Sequence, residues 1–383
     1  METESRHIRD KVEAGERLSE SDALSLYRTR DILAVGEMAA LANRRANGDR
    51  VCFIVNRHVN PTNICVNRCR FCAFSKGKDD PLAYTMTMDE ILRRAEEARE
   101  QRATELHIVG GLHPDLPFDF YLTMLRSLRE RFPSLHVQAF TAVEIDYFRE
   151  ITGLPLDEVI AQLKDAGLGS LPGGGAEIFS PEIRNEICPE KISGDRWLEV
   201  MEAVHAAGLR SNATMLYGHV ETLESRVDHM RRLRELQDRT GGFQSFIPLA
   251  FHPKNTEIAK GYTTGIDDLL ALAVARLYLD NFRHIKSFWI MVGPKLAQIS
   301  LHFGVDDIDG TVVEEKITHA AGAQTGQEMS VAELVTMIRQ AGKIPVERDT
   351  LYNVVREWPA EPQWREAPGG VGRGTSSAAS SRG

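Results

Sequence analysis

A parallel α/β barrel is the architecture this sequence predicts, and two observations lead there. Short apolar, β-branched or aromatic runs recur from Val51 onward: VCFIV, ELHIVGG, HVQAFTAVE, SLPGGGAEIF, RSNATMLYG, FQSFIPLAF, IKSFWIMVG and GTVVEE. Runs of this kind have the composition of strands. Helical patterns with legible ends stand between them, and the alternation repeats every roughly 30 to 50 residues, the size of a βαβ unit. The strand runs are nearly continuous in apolar character, as strands covered on both faces should be. A doubly wound open sheet shares this alternation; the number of units favours a barrel, complete or nearly so.

Residues 1–48 are polar with scattered apolar positions and end in ANGD, which reads as an N-terminal helical extension of one or two helices. The barrel is expected over residues 49–320. Within it, Thr87 and Glu90 form a capping box that opens DEILRRAEEAREQR, and Gly167 closes LDEVIAQLKDA. HMRRLRELQDR, residues 229–239, is basic, but Glu and Asp at helical spacing make it an ordinary solvated face. Ser330 and Glu333 open a further helix that closes near Gly342, so residues 321–358 read as a C-terminal helical segment packed on the barrel. Beyond Trp358, Gly, Ser, Ala and Pro displace the large apolar residues that ordering needs, and residues 359–383 read as a disordered tail.

The 383 residues are 42% hydrophobic and 26% charged, which supports a large core. Lys and Arg number 46 against 55 Asp and Glu, a net charge of -9, and no long basic run offsets it. That balance argues against a protein that grips nucleic-acid phosphate. No apolar stretch approaches the roughly 18 residues needed to cross a bilayer, and the opening METESRHIRDKVEAGERLSE lacks the apolar core of a signal peptide. No membrane partner is expected, and the cytoplasm is the expected compartment.

Five cysteines are too few and too unevenly placed for a disulfide framework. Cys65, Cys69 and Cys72 crowd into eight positions as CxxxCxxC just after the first strand, with only Cys52 and Cys188 elsewhere. Three thiolates on one loop can hold a [4Fe-4S] cluster and leave one iron with an open position. An amino group and carboxylate of one small molecule could chelate that iron and bring a sulfonium sulfur within reach of an electron. Loops that follow strands gather at the C-terminal mouth of a barrel, where active sites lie. The alternative is a structural Zn site with Cys52, His58 or Cys188 as fourth ligand. Cys52 and Cys188 otherwise read as packing.

The triplet, with Phe71 before its last Cys, resembles the signature of the radical S-adenosylmethionine (SAM) enzymes. HVNPTNICVNRCRFCAFS, HIVGGLHPDLPFDFYLTMLR, AFTAVEIDYF, SLPGGGAEIFS, SNATMLYGHVET, RELQDRTGGFQSFIPLAFHP, WIMVGPKLAQ and GTVVEEKI together resemble the aminofutalosine synthase family, from the futalosine route to menaquinone. The resemblance covers about residues 50–353. It implies a [4Fe-4S] cluster on Cys65, Cys69 and Cys72, SAM as co-substrate, and a low-potential electron donor such as flavodoxin or ferredoxin. The implied reaction adds the 5'-deoxyadenosyl radical to the enolpyruvyl double bond of 3-[(1-carboxyvinyl)oxy]benzoate, with rearrangement and loss of bicarbonate. Paralogues that abstract hydrogen, the cyclic dehypoxanthine futalosine synthase and a subunit of the deazaflavin-forming enzyme, share the barrel and cluster loop and remain rivals.

On the matching positions, Phe71, Gly110, Gly111 and Glu177 are implied in binding SAM. Backbone without a Cβ at Gly110 and Gly111 could approach the methionine amino group, with a simple tight turn as the alternative. Leu112 follows that pair where the family usually has an acidic residue. Glu177, after Gly173, Gly174 and Gly175, could accept hydrogen bonds from ribose hydroxyls or merely pair with a surface Arg. The two substrate carboxylates need donors in a mostly dry pocket. The candidates are His58, Asn60, His113, Arg210, Asn212 and His252, with His219 and Lys295 also near predicted strand ends. Asn60, Thr62 and Asn63 could equally shape the loop. Glu144, expected to end the third strand, is the candidate for moving a proton or positioning a ligand.

Overall fold

The computed structural model describes residues 2–258 and 261–359. Three helices come first, Glu2–Ala14, Glu20–Arg28 and Ile32–Asn47, one more than the sequence suggests. β1 (Arg50–Ile54) then runs almost directly into β2 (Asn56–Val59). There follow β3 (Glu105–Ile108), β4 (His136–Ala139), β5 (Ser170–Leu171), β6 (Arg210–Tyr217), β7 (Phe243–Ala250), β8 (His284–Ile285) and β9 (Asp307–Gly310). β2 to β8 form a seven-stranded sheet in sequential order with every pair parallel.

The two edges of this curled sheet are joined through β9. Ser287 N–H donates to the Asp307 carbonyl at 2.8 Å, β9 pairs in parallel with β1, and His58 N–H donates to the Val313 carbonyl at 2.9 Å. The expected barrel is therefore present. The expected capping boxes are also present, at Thr87 for the helix Met88–Glu100 and at Ser330 for Val331–Gln340, and Gly167 caps the helix Leu156–Ala166.

Residues 321–358 depart from the helical expectation. After Val331–Gln340 the chain forms β10 (Ile344–Arg348), parallel to β1, and β11 (Val354–Glu357), antiparallel to β10. The segment completes a four-stranded sheet, β11-β10-β1-β9, at the N-terminal pole of the barrel. Of the tail expected to be disordered, all but Pro359 lies outside the described residues.

The N-terminal helices have a packing task. The helix Gly265–Tyr278 reads DLLALAVARLY and is buried from Asp268 to Tyr278, so the barrel alone cannot cover it. A helix apolar on every side needs neighbours on every side. Ile32–Asn47 and Glu20–Arg28 pack against it, with Gly36 of the former pressed on the Phe303 ring.

Inside the barrel, alternation along each strand places polar residues where aliphatic layers are usual. Asn56 donates to Glu105 at 3.2 Å, Gln138 to Ser170 at 3.2 Å and Ser245 to Asn212 at 2.9 Å, all buried. The apolar partners of these residues, such as Leu106, Ile108, Val137 and Phe246, face the surrounding helices instead. At the N-terminal pole Arg348 donates from Nε to Asp307 at 2.7 Å, with both side chains buried. Burial opposes the charge on Asp307, but Arg348 and Lys286 outweigh it and hold its carboxyl below the usual range. Arg348→Ala strands that carboxylate in the interior, and unfolding free energy should fall by about 3–5 kcal/mol, read as a lower denaturant midpoint at unchanged slope.

Candidate active site

The loop from Asn60 to Gly77 that follows β2 is shaped by its own short polar side chains. Asn60 Nδ2 donates to the Val109 carbonyl at 2.9 Å, Thr62 Oγ1 to that of Tyr84 at 2.8 Å, and Asn63 Nδ2 to that of Leu82 at 2.9 Å. The loop lies directly on the end of β3: Gly111 N–H donates to the Thr62 carbonyl at 2.9 Å. A Cβ on Gly111 would sit 2.2 Å from the Ile64 carbonyl oxygen, so the loop's own backbone demands glycine there. On its other side the loop is held by the turn after Pro181–Ile187, where Arg70 N–H donates to the Ile187 carbonyl at 2.8 Å and Arg68 N–H to Glu190 at 2.6 Å.

Cys65, Cys69 and Cys72 thereby line a cavity of about 320 Å³ at the C-terminal mouth of the barrel. Phe71, Gly110, Gly111, Glu144, Glu177, His58 and His252 line it as well. Burial pushes the Cys69 thiol up to about 12, partly countered by Lys191, and pushes the Cys72 thiol up too. Lys191, which nothing in the sequence singled out, is buried with its Nζ 2.8 Å from Glu177 Oε1 and 5.0 Å from the centre of the Phe71 ring. Burial works against its charge, yet Cys69, Glu177 and Cys188 together hold its pKa above the ordinary lysine value. Glu177 thus has a buried Lys as partner and not a surface Arg.

The Gly173–Glu177 turn is fixed from behind by buried Arg184, another residue without a sequence signal. Its Nη1 donates to the carbonyls of Ala176 at 2.6 Å and Ile178 at 3.1 Å. Gly173 and Gly175 have φ of 84° and 81°, and Glu177 itself has φ of 48°, a conformation that costs a non-glycine residue and persists only where the surroundings impose it.

Glu144 lies on a helix, not at a strand end. β4 stops at Ala139, and Thr141 and Glu144 form the capping box of Ala142–Thr152. One carboxylate oxygen accepts Thr141 N–H at 2.7 Å and the other accepts Gly110 N–H at 3.2 Å. Burial pushes its carboxyl up to about 7 despite these hydrogen bonds.

Several candidates lie elsewhere. Arg210 opens β6, at the opposite end of the barrel, and its exposed guanidinium caps the Gly241 carbonyl. The strand run was legible, but its first residue belongs to the wrong pole. Asn60, His113 and Asn212 are buried outside the cavity lining: Asn60 ties β2 to β3, His113 Nδ1 accepts Asp115 N–H at 3.0 Å, and Asn212 accepts from Ser245. His219 packs beside Glu221, and Lys295 lines a separate surface hollow. His252 borders the cavity while donating from Nε2 to the Met291 carbonyl at 3.0 Å.

The donor set suits an iron-sulfur cluster held by three thiolates. Cys52 is on β1 at the other pole and Cys188 is packed in the core, so the loop leaves a fourth corner open, and buried Lys191 offsets the negative charge that ionised thiols bring. Among the described residues, no three His, Cys, Asp or Glu side chains are arranged to hold a single metal ion.

A barrel whose mouth carries this triplet defines a radical SAM enzyme, and the pattern of the Radical SAM superfamily matches residues 59–233, followed by the CofH/MqnC C-terminal region over 240–361. Enzymes of this superfamily use a [4Fe-4S] cluster and SAM. The chain is 49% identical to the aminodeoxyfutalosine synthase of Thermus thermophilus, over 92% of this chain and 96% of that one. It is 44% identical to the 5-amino-6-(D-ribitylamino)uracil--L-tyrosine 4-hydroxyphenyl transferase of Methanopyrus kandleri, over 81% of this chain and 85% of that one. In fold it is similar to the [FeFe]-hydrogenase maturase HydG of Carboxydothermus hydrogenoformans, with a TM-score of 0.72 at 18% identity, covering 92% and 81% of the two chains. The chain belongs to the radical SAM family that unites the aminodeoxyfutalosine synthases with these archaeal transferases. Among the described residues, no helix is long and apolar enough to cross a membrane.

Two outcomes test this geometry. Gly111→Ala should displace the loop, and the purified protein should lose most of its iron, sulfide and visible charge-transfer absorbance after reconstitution. In the cluster-free protein, Glu144 binds its proton more tightly folded than unfolded. Stability relative to Glu144→Gln should therefore fall as pH rises from about 4.5 to about 7, by roughly 3 kcal/mol over that interval, measured by denaturant unfolding at each pH.

Proposed function

We propose that the enzyme joins the 5'-deoxyadenosyl group of SAM to the enolpyruvyl double bond of 3-[(1-carboxyvinyl)oxy]benzoate and, after rearrangement and loss of bicarbonate, yields 6-amino-6-deoxyfutalosine and methionine. This is a step of menaquinone biosynthesis in the cytoplasm, with flavodoxin or ferredoxin as electron donor. The observation that carries the reading is the likeness to the Thermus synthase, 49% identical over 92% of this chain, against 44% over 81% for the Methanopyrus transferase. Cys65, Cys69 and Cys72 would hold the cluster, which when bound and reduced would supply the electron that cleaves SAM to methionine and the 5'-deoxyadenosyl radical.

The chain's own residues bind and shield. Glu177, fixed by Lys191, is an acceptor-only group suited to two ribose hydroxyls. Phe71 and the bare backbone of Gly110 and Gly111 border the same space, and Glu144 holds the Gly110 amide in place. Leu216, Ile247, Leu249, Phe288 and Met291 give the far wall an apolar surface fit for a benzene ring. The same wall keeps water and stray hydrogen donors from a reactive carbon radical.

Mass spectrometry of an anaerobic reaction with reconstituted protein, dithionite, SAM and the enolpyruvyl benzoate should find a product containing the adenosyl group, formed with methionine. Cys69→Ala should form neither. No adduct in that reaction, together with free 5'-deoxyadenosine and consumption of both substrates in a parallel reaction supplied with tyrosine and 5-amino-6-(D-ribitylamino)uracil in place of the benzoate, would overturn this assignment in favour of the transferase reaction.

A further inference from the structure

Most charged and hydrogen-bonding side chains around the cavity are engaged. Glu177 is held by Lys191, Glu144 by two backbone amides, His252 by the Met291 carbonyl, Thr214 by the Gly173 carbonyl at 2.9 Å, and Glu315 by the amides of Ile317 and Thr318 at 2.9 and 2.8 Å. Asp309 pairs with Lys286 at 3.4 Å. Among the described residues that line the cavity, His58 alone carries a fully buried side-chain polar atom with no hydrogen-bond partner: it is 8% exposed, and that atom is Nε2. A buried polar atom left unsatisfied costs about 1–3 kcal/mol, and at the edge of an open cavity a ligand is what satisfies it.

The place of His58 in the fold restricts which part of a ligand it meets. It sits within β2, seven residues before Cys65, and the register with β3 stacks its ring on that of His107 at 4.3 Å and 10°. These two rings and Asp309 form the floor of the cavity, whereas the three cysteines belong to the loop at its mouth. Burial first, then the neighbouring His107 and Lys286, drive the His58 pKa well below the ordinary imidazole value, so the ring is neutral. A neutral imidazole offers one donor and one acceptor, and its tautomer follows its partner. Beside it the Lys286–Asp309 pair keeps the floor without net charge.

Granted the reaction proposed above, the alkene must face the mouth, where the 5'-deoxyadenosyl group is delivered. The end of the substrate farthest from the alkene is the carboxylate on the benzene ring. We infer that the floor of the cavity is the subsite for that ring carboxylate and that an imidazole N–H of His58 is its hydrogen-bond donor, making His58 the residue that selects a benzoate over an aromatic ring without the acid. Asp309 lines that floor, and its pairing with Lys286 offsets the repulsion its carboxylate would exert on an anion there.

The test compares 3-[(1-carboxyvinyl)oxy]benzoate with (1-carboxyvinyl)oxybenzene, which lacks only the ring carboxylate. His58→Phe keeps an aromatic ring on His107 and removes the donor. It should raise KM for the benzoate roughly 10- to 100-fold, the worth of a hydrogen bond to a charged group, with a much smaller change in kcat and little change for the analogue. The preference of the wild-type enzyme for the benzoate should then largely vanish. His58→Ala, which removes the donor without added bulk, gives the same comparison should the Phe variant not fold. Undiminished preference in the folded variant overturns the inference and leaves the reaction standing, whereas wild-type enzyme that forms no adduct from the benzoate overturns both.

Discussion

The approach of the cluster loop to the end of β3 is the contact on which the site depends. With the Ile64 carbonyl where a side chain on residue 111 would begin, the loop has one seat only. From it follow the direction of Cys65, Cys69 and Cys72, the position of Phe71 above Lys191, and the closure of the cavity on the mouth side. Glu144 acts on the same joint from below, since the carboxylate that starts its helix also holds the Gly110 amide. A helix start, a strand end and a metal-binding loop are thus fixed through a few backbone groups, with no need for a large side chain between them.

Charge is the second constraint. The barrel interior carries Glu105, His107, Lys286, Asp307, Asp309 and Arg348 at depths where single ions are not tolerated. Each acid has a cation or a donor within reach, so the layer resembles a folded salt network more than an oily core. Such a layer adds little net stability, but it fixes strand register, because slipping one strand by a residue would swap every polar group for an aliphatic one. The aliphatic packing that stabilises the fold lies outside the sheet, around Trp197, Phe148 and Tyr278.

Much of the frame was legible in the sequence because it is written locally. Thr87, Ser330 and Gly167 mark helix ends through contacts within a few residues, and CxxxCxxC places three thiols on one loop by spacing alone. What was illegible depends on contacts between distant segments. IPVER and VVRE form β10 and β11 only because β1 offers an edge, and a Pro and several charges hide them from a propensity reading. Lys191 gains its meaning from Glu177 and Phe71, and Arg184 from the carbonyls it gathers, neither of which leaves a mark beside the residue itself. Glu144 draws notice for its charge, yet Thr141 and Glu144 inside HVQAFTAVE also carry the Thr-x-x-Glu cap signal that turns the strand into a helix, masked by the apolar and β-branched residues around it. Arg210 shows the converse error: finding a strand is not the same as knowing which end of it reaches the site.

The cover over Gly265–Tyr278 also has a history in time. Arg17 meets Asp280, 263 residues later in the chain. At synthesis rates of about 5–20 residues per second, the N-terminal helices leave the ribosome roughly 13 to 50 seconds before the helix they cover. Through that interval the faces of Ile32–Asn47 that will press on Phe303 and its neighbours have nothing native to bury against. Helices made early are therefore among the last to find their place, and the cell must guard an apolar surface for as long as the barrel takes to arrive.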